Sequence, residues 1–189
     1  EGYMSREDYA RVMTKATAKI REISPKRLIV VDGLDVGNSV VDELVPLGVA
    51  QSVHAYWPGQ ISHYRASWVD RESKFPDPAW PVLNPDGTVK MGRQQLEDRY
   101  APWGELARKG IGVHCGECGC FDKTPHAIFL GWFEDVMAVV ELHGLRDGLD
   151  QMIAARMPAP AQVRASGGGT ASPVWRQILA DILGCELAT

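Results

Sequence analysis

The first hydrophobic positions of the chain recur at helical spacing. Between Ser5, which suits a helix N-cap, and Pro25, which ends the segment, this spacing predicts one amphipathic helix. Residues 27–33 then form a short unbroken apolar run closed by Asp and Gly, which predicts a strand buried on both faces, as in a parallel sheet. The apolar positions of the helix are Tyr9, Val12, Met13, Ala16, Ile20 and Ile23.

Helical and strand patterns continue to alternate as far as Gly144. The alternation predicts right-handed βαβ units and a parallel sheet, whose active site lies beyond the carboxyl ends of its strands. Thr124 suits the N-cap of the last helix, with Pro125 at its first position. The predicted elements are a short helix over 40–45, a strand over 49–57, a helix from 93 to about 109, a strand over 112–117 and a helix over 125–142.

Residues 58–92 interrupt this alternation with a segment rich in Pro, Trp, Asp and Gly that has no sustained periodicity. Its tryptophans, with Trp57 at the edge and Trp68 and Trp80 inside, favour an ordered binding loop over a flexible linker. The indoles either stack on the faces of sugars or another apolar ligand, or form a small core for the loop itself.

The pattern changes again after Gly144. A helix over 145–157, a short strand over 162–165 and a helix from 173 to 183 are predicted there. The turn Gly167, Gly168 and Gly169 precedes the last helix, where the backbone can approach a nucleotide and the helix dipole favours anions. The turn matches neither of the general phosphate-binding motifs, so a flexible turn is the alternative.

Composition and charge exclude several classes of protein. The chain has 189 residues and a net charge of -4, which argues against a nucleic-acid surface. No apolar run reaches the roughly 18 residues of a membrane span, and no secretory signal is visible in the chain as given. The sequence does not decide between a cytoplasmic and a secreted location. Four cysteines do not define a disulfide scaffold at this length. A complete (β/α)8 barrel needs about 250 residues, so the chain is too short to close one.

Glu117 is the strongest candidate for catalysis because it stands at the carboxyl end of a predicted buried strand. A carboxylate there suits a nucleophile or a general acid/base, although a strand-end Glu can also simply pair with an Arg. His54 and Tyr56 end another strand, and their spacing puts both side chains on one face. They either orient a carboxylate and bind a sugar hydroxyl or are hydrogen-bonded locally in the core.

His114, Cys115, Cys118 and Cys120 raise the question of a metal, since Cys115 and Cys118 have the spacing seen in zinc sites. A structural zinc site, however, normally takes two ligand pairs well separated in sequence. The interpretation is therefore that there is no metal site and that Cys115 is buried as a small hydrophobe.

Residues 1–144 resemble the C-terminal half of the catalytic domain of glycoside hydrolase family 5, the cellulase-like family. The resemblance rests on 5–12, 27–33, the His-x-Tyr motif at 53–58 and the Gly-Glu motif at 116–119. It implies a (β/α)8 barrel that hydrolyses β-linked glycans with retention, Glu117 as nucleophile, His54 and Tyr56 in support and a carbohydrate partner without a cofactor. Retention requires two carboxylates about 5–5.5 Å apart.

The sequence departs from that family at three points. The Asn-Glu-Pro motif of the acid/base and the eighth strand have no match, and Cys118 stands where the family has an aromatic residue. The polypeptide is therefore expected to be weakly active or inactive by itself.

Residues 145–189 resemble the C-terminal domain of xylulokinase-type (FGGY) sugar kinases. The resemblance rests on 145–150 and 164–177. It implies that Gly167, Gly168 and Gly169 line the adenosine side of an ATP site, and ATP with Mg²⁺ is a cofactor only under this alternative.

The sequence as a whole therefore predicts an α/β fold. It is a partial (β/α)8 TIM barrel of about three to four βα units, not closed, followed by a short strand-turn-helix from a different fold. The predicted domains are 1–144 and 145–189. A third hypothesis is a misassembled or fused fragment without catalysis, which self-associates through its unclosed sheet edge.

Overall fold

The computed structural model describes residues 4–72, 74–144, 162–164, 177 and 186–188. The chain divides into two compact units, Glu1–Leu149 and Asp150–Thr189. The first unit is a mixed α/β structure, as the alternation of helical and strand patterns predicts. Its elements are α1 (Arg6–Ile23), β1 (Val30–Asp32), the single turn α2 (Leu34–Gly37), a 3-10 helix (Asp42–Leu47), β2 (Ala50–Ala55), α3 (Gly59–Ser62), β3 (Val82–Leu83), β4 (Val89–Met91), α4 (Arg93–Arg108), β5 (Val113–Cys118) and α5 (His126–Leu142).

The central sheet has the strand order β1-β2-β5, and both pairings are parallel. A parallel sheet was the prediction, and it is confirmed. Because all three strands run the same way, their carboxyl ends share one edge of the sheet, and the segments that follow them meet there. The residues at this edge are Asp32, His54 and Glu117.

One face of the sheet carries the main hydrophobic core. Helices α4 and α5 present apolar side chains at helical spacing to this face, and full burial stabilises each large one by about 1.5–3 kcal/mol. Trp103 and Trp132 are almost completely inaccessible to solvent and are the largest members. The rest of the buried cluster is Val53, Ala55, Ile61, Leu96, Tyr100, Leu106, Ile111, Val113, Val136, Val139 and Val140.

Strand β1 differs from its prediction. Val31 is buried in a second cluster with residues of the 3-10 helix, whereas Val30 is 42% exposed and Asp32 is exposed. The expectation of burial on both faces was therefore wrong. An unbroken apolar run does not reveal whether a second layer covers the strand, and no described residue packs a hydrophobic layer over the face that carries Val30.

Of the two N-caps predicted from the sequence, the cap of α1 was correct and the cap of α5 was wrong. The Ser5 side chain accepts a hydrogen bond from the Asp8 backbone N–H at 3.1 Å, as an N-cap should. The predicted N-cap of α5 was wrong, since Pro125 occupies that position. The hydroxyl of Thr124 instead donates to the carbonyl of Ile61 at 2.6 Å and so joins the segment after β5 to α3.

The described residues between β2 and α4 form defined elements, although the sequence of this segment has no periodicity. It contains α3 and the antiparallel hairpin of β3 and β4, whose strands are too short for a period to show. The buried carboxylate of Asp70 accepts hydrogen bonds from the backbone N–H groups of Arg65, Lys74 and Phe75. The Asp70 carboxylate therefore provides hydrogen-bond acceptors for backbone N–H groups that lie outside any helix or sheet.

In the second unit the structure describes two short strands, β6 (Gln162–Arg164) and β7 (Glu186–Ala188), which pair in parallel. The predicted strand over 162–165 coincides with β6. Gln177, within the last predicted helix, is helical. The predicted helix over 145–157 and the turn of Gly167, Gly168 and Gly169 lie outside the described residues. Among the helices described, none has the length and apolar character needed to cross a membrane.

Candidate active site

A β-bulge in β5 decides which way Glu117 points. Ser52 pairs with His114 and Val53 with Cys115, but the next residue of β2, His54, pairs with Glu117. Gly116 is therefore the extra residue of the bulge. In a regular strand Glu117 would share a face with Cys115, toward the helices. The bulge instead turns Glu117 onto the face of His54, away from the hydrophobic core.

Gly116 permits this bulge because it has no side chain. A Cβ at Gly116 would lie 2.2 Å from the hydroxyl oxygen of Ser52, on the neighbouring strand. With Ser52 in its present position, β2 and β5 are too close together here for any residue larger than glycine at position 116. The glycine of the Gly-Glu motif thus has a local physical role that concerns the direction of the carboxylate.

His54 connects two carboxylates. Its Nδ1 lies 3.4 Å from the Glu117 carboxylate and its Nε2 lies 3.2 Å from the Asp32 carboxylate. The His54 side chain is only 8% exposed, whereas those of Glu117 and Asp32 are 53% and 60% exposed. The buried ring is therefore held between two carboxylates that remain open to a ligand. Asp32 was not among the predicted site residues, although its place at the end of a buried run was the available signal.

Tyr56 completes this group of side chains. Its ring meets the ring of His54 edge-on at 6.3 Å between centroids and that of His63 at 5.1 Å. Burial, followed by the charge of Glu117 and a hydrogen bond to it, raises the pKa of Tyr56 to about 12. The phenol therefore stays protonated at neutral pH and can donate to the Glu117 carboxylate. The structure thus brings together three of the predicted site residues, Glu117, His54 and Tyr56.

The raised pKa of Tyr56 has a measurable consequence. Its folded-state value of about 12 exceeds the ordinary value of 10, so its contribution to stability is complete below pH 10 and is lost as the pH rises toward 12. In an ultraviolet titration of phenolate, we expect Tyr56→Phe to remove a group that ionises near pH 12. Tyr100, whose pKa burial also raises to about 12, provides the comparison variant Tyr100→Phe. Loss of a group that ionises near pH 10 in Tyr56→Phe would contradict the contact with Glu117.

Gly37, in the turn that follows β1, lies against the ring of His54. It has a positive φ of 71°, and a Cβ there would lie 2.4 Å from the His54 ring and 2.9 Å from the His54 backbone nitrogen. The turn α2 also holds Asp35 and Val36 at positive φ, an arrangement rarely adopted by a β-branched residue. No sequence pattern pointed to Gly37 as part of the site.

His114 lies on the same face as His54, one pairing step before the bulge. Burial lowers the pKa of His114, while the charge of Asp32 partly opposes that shift. His114 is therefore a neutral polar group at neutral pH, on the face of the sheet that also carries His54. The face away from the core thus carries a continuous polar row of Asp32, Ser52, His54, His114 and Glu117.

The three predicted aromatic ligands occupy different surroundings. Trp57 packs partly on the core, with the Arg99 guanidinium 5.8 Å from its ring centroid. Trp80 is tied to α5 by a hydrogen bond of 2.9 Å from its Nε1 to Asp135. Trp68 is 58% exposed and meets Phe121 edge-on at 4.9 Å. Trp68 therefore presents the most surface to a ligand, and Trp80 anchors its loop.

A groove of about 440 Å³ follows the end of β5. Its lining includes Phe121, Lys123, His126 and Phe129. The groove therefore begins within a few residues of Glu117 along the chain, and its lining combines apolar side chains with the oppositely charged Asp122 and Lys123. Among the residues that the structure describes, no group of three or more His, Cys, Asp or Glu side chains is arranged to hold a metal ion.

Comparison with solved structures shows which proteins share this fold. The chain is similar to a structure described as a glycoside hydrolase, with 40% sequence identity and a TM-score of 0.68 over 75% of this chain and 42% of that one. Cel5A of Thermotoga maritima, solved with mannotriose, matches 77% of this chain and 47% of its own with 19% identity and a TM-score of 0.62. A hyperthermophilic endo-β-1,4-glucanase, solved with substrate, matches with 19% identity and a TM-score of 0.58.

These similarities confirm the predicted resemblance to cellulases and other glycoside hydrolases. The chain spans less than half the length of the solved structures that it matches. Residues 136–189 match the family model of the C-terminal domain of the FGGY family of carbohydrate kinases, which confirms the second resemblance. The matched range starts within α5 and so before residue 145, where the sequence resemblance was placed. No curated protein matches the sequence.

Proposed function

We propose that this chain carries the nucleophile half of a retaining glycoside hydrolase site, with Glu117 as the nucleophile. The observation that carries the proposal is the bulge at Gly116, which turns Glu117 toward His54 and Tyr56 at the carboxyl edge of the sheet. Active sites of parallel α/β folds lie at this edge. The 40% identity to a glycoside hydrolase over three quarters of the chain gives independent support.

We further propose that β1, β2 and β5 are adjacent strands of a partial (β/α)8 barrel. In such a barrel one face of each strand lines the interior and the other packs against helices. The face with Val53 and Ala55 packs against α4 and α5, so the polar row with Asp32, His54 and Glu117 corresponds to the interior.

In this mechanism the carboxylate of Glu117 attacks the anomeric carbon, the glycosidic bond breaks, and a glycosyl ester of Glu117 forms. Tyr56, protonated up to about pH 12, donates to the carboxylate and fixes its direction. His54, held on its other side by Asp32, limits the rotation of the carboxylate. Water then hydrolyses the ester, with the configuration of the sugar retained.

Retention also needs a second carboxylate as acid and then base, about 5–5.5 Å from the first. Asp32 does not suit this role, because it contacts one nitrogen of the His54 ring while Glu117 faces the other. The ring therefore lies between the two carboxylates. We propose that Asp32 positions His54 and that the polypeptide alone hydrolyses unactivated glycans weakly or not at all.

The proposed substrate class is a β-linked glycan. The solved relatives include an endo-β-1,4-glucanase bound to substrate and a Cel5A bound to mannotriose. A β-1,4-linked glucan or mannan is therefore the first class to test. The exposed ring of Trp68 provides a surface on which a pyranose face can stack.

Covalent labelling tests the proposal without requiring the acid. A β-glycoside with fluorine at the second carbon and a dinitrophenolate leaving group needs no protonation to depart, and its glycosyl ester is hydrolysed slowly. We expect intact-mass measurement to show one fluoroglycosyl group per chain, and peptide mapping to place it on Glu117. This reagent is made both as a cellobioside and as a mannobioside. If neither gives an adduct, Glu117 is not the nucleophile.

The family match over residues 136–189 favours a second candidate, nucleotide binding by the C-terminal part of the chain. ATP with Mg²⁺ should then raise the melting temperature of the chain, and Gly168→Val should reduce that shift. An unchanged melting temperature at millimolar ATP would remove this candidate and leave the first untouched. The turn concerned, Gly167, Gly168 and Gly169, lies outside the described residues, so the family match alone supports the role.

A further inference from the structure

The bulge that turns Glu117 also moves a cysteine. Cys115 pairs with Val53 and Cys118 with Ala55, two residues of β2 that share the helix-facing side of the sheet. In a regular strand, residues three apart lie on opposite faces. With Gly116 as the extra residue, Cys115 and Cys118 instead occupy successive positions on one face.

The two thiols are consequently neighbours. Successive positions on one face of a strand are about 6.6 Å apart, since each residue advances the strand by about 3.3 Å. Disulfides span Cα separations of about 4.4–6.8 Å. The Cys115 S–H has two acceptors within reach, the Cys118 sulfur and the Glu117 carbonyl oxygen at 3.4 Å, and a hydrogen bond between the two thiols accords with their closeness. Both cysteines are free in the structure.

Their environments divide the chemical roles between them. Cys118 is exposed, and the hydrogen bond from Cys115 lowers the pKa of its thiol. Cys115 is half-buried, and the same hydrogen bond, followed by burial, raises the pKa of the Cys115 thiol. An accessible thiol with a lowered pKa is the one that reacts first with an oxidant, and its neighbour then resolves the product.

We propose that Cys115 and Cys118 form a reversible disulfide, a redox modification site that encloses Gly116 and Glu117 in its ring. This site is independent of the hydrolase function proposed above. The disulfide ties the two ends of the bulge together and thereby changes where the backbone holds the Glu117 carboxylate relative to His54.

Hydrogen peroxide is the oxidant in the simplest form of the reaction. The Cys118 thiolate attacks one peroxide oxygen, the O–O bond breaks, and Cys118 sulfenic acid and hydroxide form. The Cys115 sulfur then attacks the Cys118 sulfur, and the sulfenic oxygen leaves as water. In sum, two thiols and one peroxide give one disulfide and two waters. Oxidation of Cys118 removes the thiolate whose hydrogen bond and charge help to raise the pKa of Cys115, so the Cys115 thiol ionises more readily, although burial still opposes its ionisation.

Peptide mapping of the whole chain tests the site. The reduced protein is treated with hydrogen peroxide, blocked with N-ethylmaleimide and digested. We expect one peptide that has lost two hydrogen atoms, with no maleimide on Cys115 or Cys118 and one on Cys120. Dithiothreitol should restore both alkylation sites. A disulfide between Cys118 and Cys120, or Cys118 oxidised to the sulfinic acid while Cys115 is alkylated, would overturn the proposal.

Two variants complete the experiment. Cys120→Ser should leave the disulfide intact, because Cys120 lies beyond the bulge. Cys115→Ala should abolish the disulfide and slow the alkylation of Cys118 in the reduced protein several-fold, because the hydrogen bond that favours its thiolate is gone. Melting curves establish that each variant is folded. Equal alkylation rates of Cys118 in the wild type and a folded Cys115→Ala variant would contradict the contact between the two thiols.

Discussion

Replacing Glu117 with Gln should abolish covalent labelling by the activated fluoroglycoside, with a fall in rate on the order of 10³-fold or more. Gln keeps the size of the side chain and can still contact His54 and Tyr56, so the fold is preserved while the attacking oxygen is no longer an anion. The measurement is the rate of adduct formation by intact mass. The control is Glu105→Gln on the exposed side of α4, which should label like the wild type.

A small anion such as azide can show whether Glu117 acts as the nucleophile or as the general acid. In Glu117→Ala, azide can enter the space of the lost carboxylate and attack the anomeric carbon of an activated β-glycoside from that side. The expected product is the α-glycosyl azide, inverted relative to the substrate. A β-glycosyl azide would mean that Glu117 acts on the leaving-group side, and the nucleophile assignment would then be wrong.

The long elements of the first unit could be predicted because their sequence pattern and their packing agree. Leu96, Tyr100, Trp103 and Leu106 recur at helical spacing in the sequence, and all four are buried on one side of α4. The agreement fails at β1, where Val31 is the one large hydrophobic residue of the apolar run that is buried. What covers each face of a strand is a tertiary property that the run itself does not record.

In the candidate site, too, some features follow from the sequence pattern and others depend on tertiary contacts. Glu117, His54 and Tyr56 could be identified because strand ends in a parallel sheet share an edge. Simple alternation, however, places Glu117 on the face of Cys115, and only the bulge at Gly116 corrects this. Asp32 was missed although it ends a predicted strand, and Gly37 could not be identified at all, because its role depends on a contact with His54 across more than fifteen residues of chain.

Gly37→Ala is expected to destabilise the fold strongly, because it combines a positive φ with an overlap onto the buried ring of His54. The residue has a φ of 71°, and the new Cβ would lie 2.4 Å from the His54 ring. A positive φ costs an alanine about 1–2 kcal/mol, and the overlap with a buried ring adds to that cost. We expect a loss of about 3 kcal/mol or more in the free energy of unfolding, measured by urea denaturation.

Gly48→Ala is the matched control for this variant. Gly48 has a φ of 60°, but a Cβ there meets no atom within 4 Å, so only the conformational cost should appear. The difference between the two variants therefore measures the contact with His54. The double variant Gly37→Ala/His54→Ala should recover part of that difference, because the ring is gone while the His54 backbone nitrogen remains 2.9 Å from the Cβ position. If Gly37→Ala and Gly48→Ala were equally destabilising, Gly37 would have no part in holding His54 against Glu117.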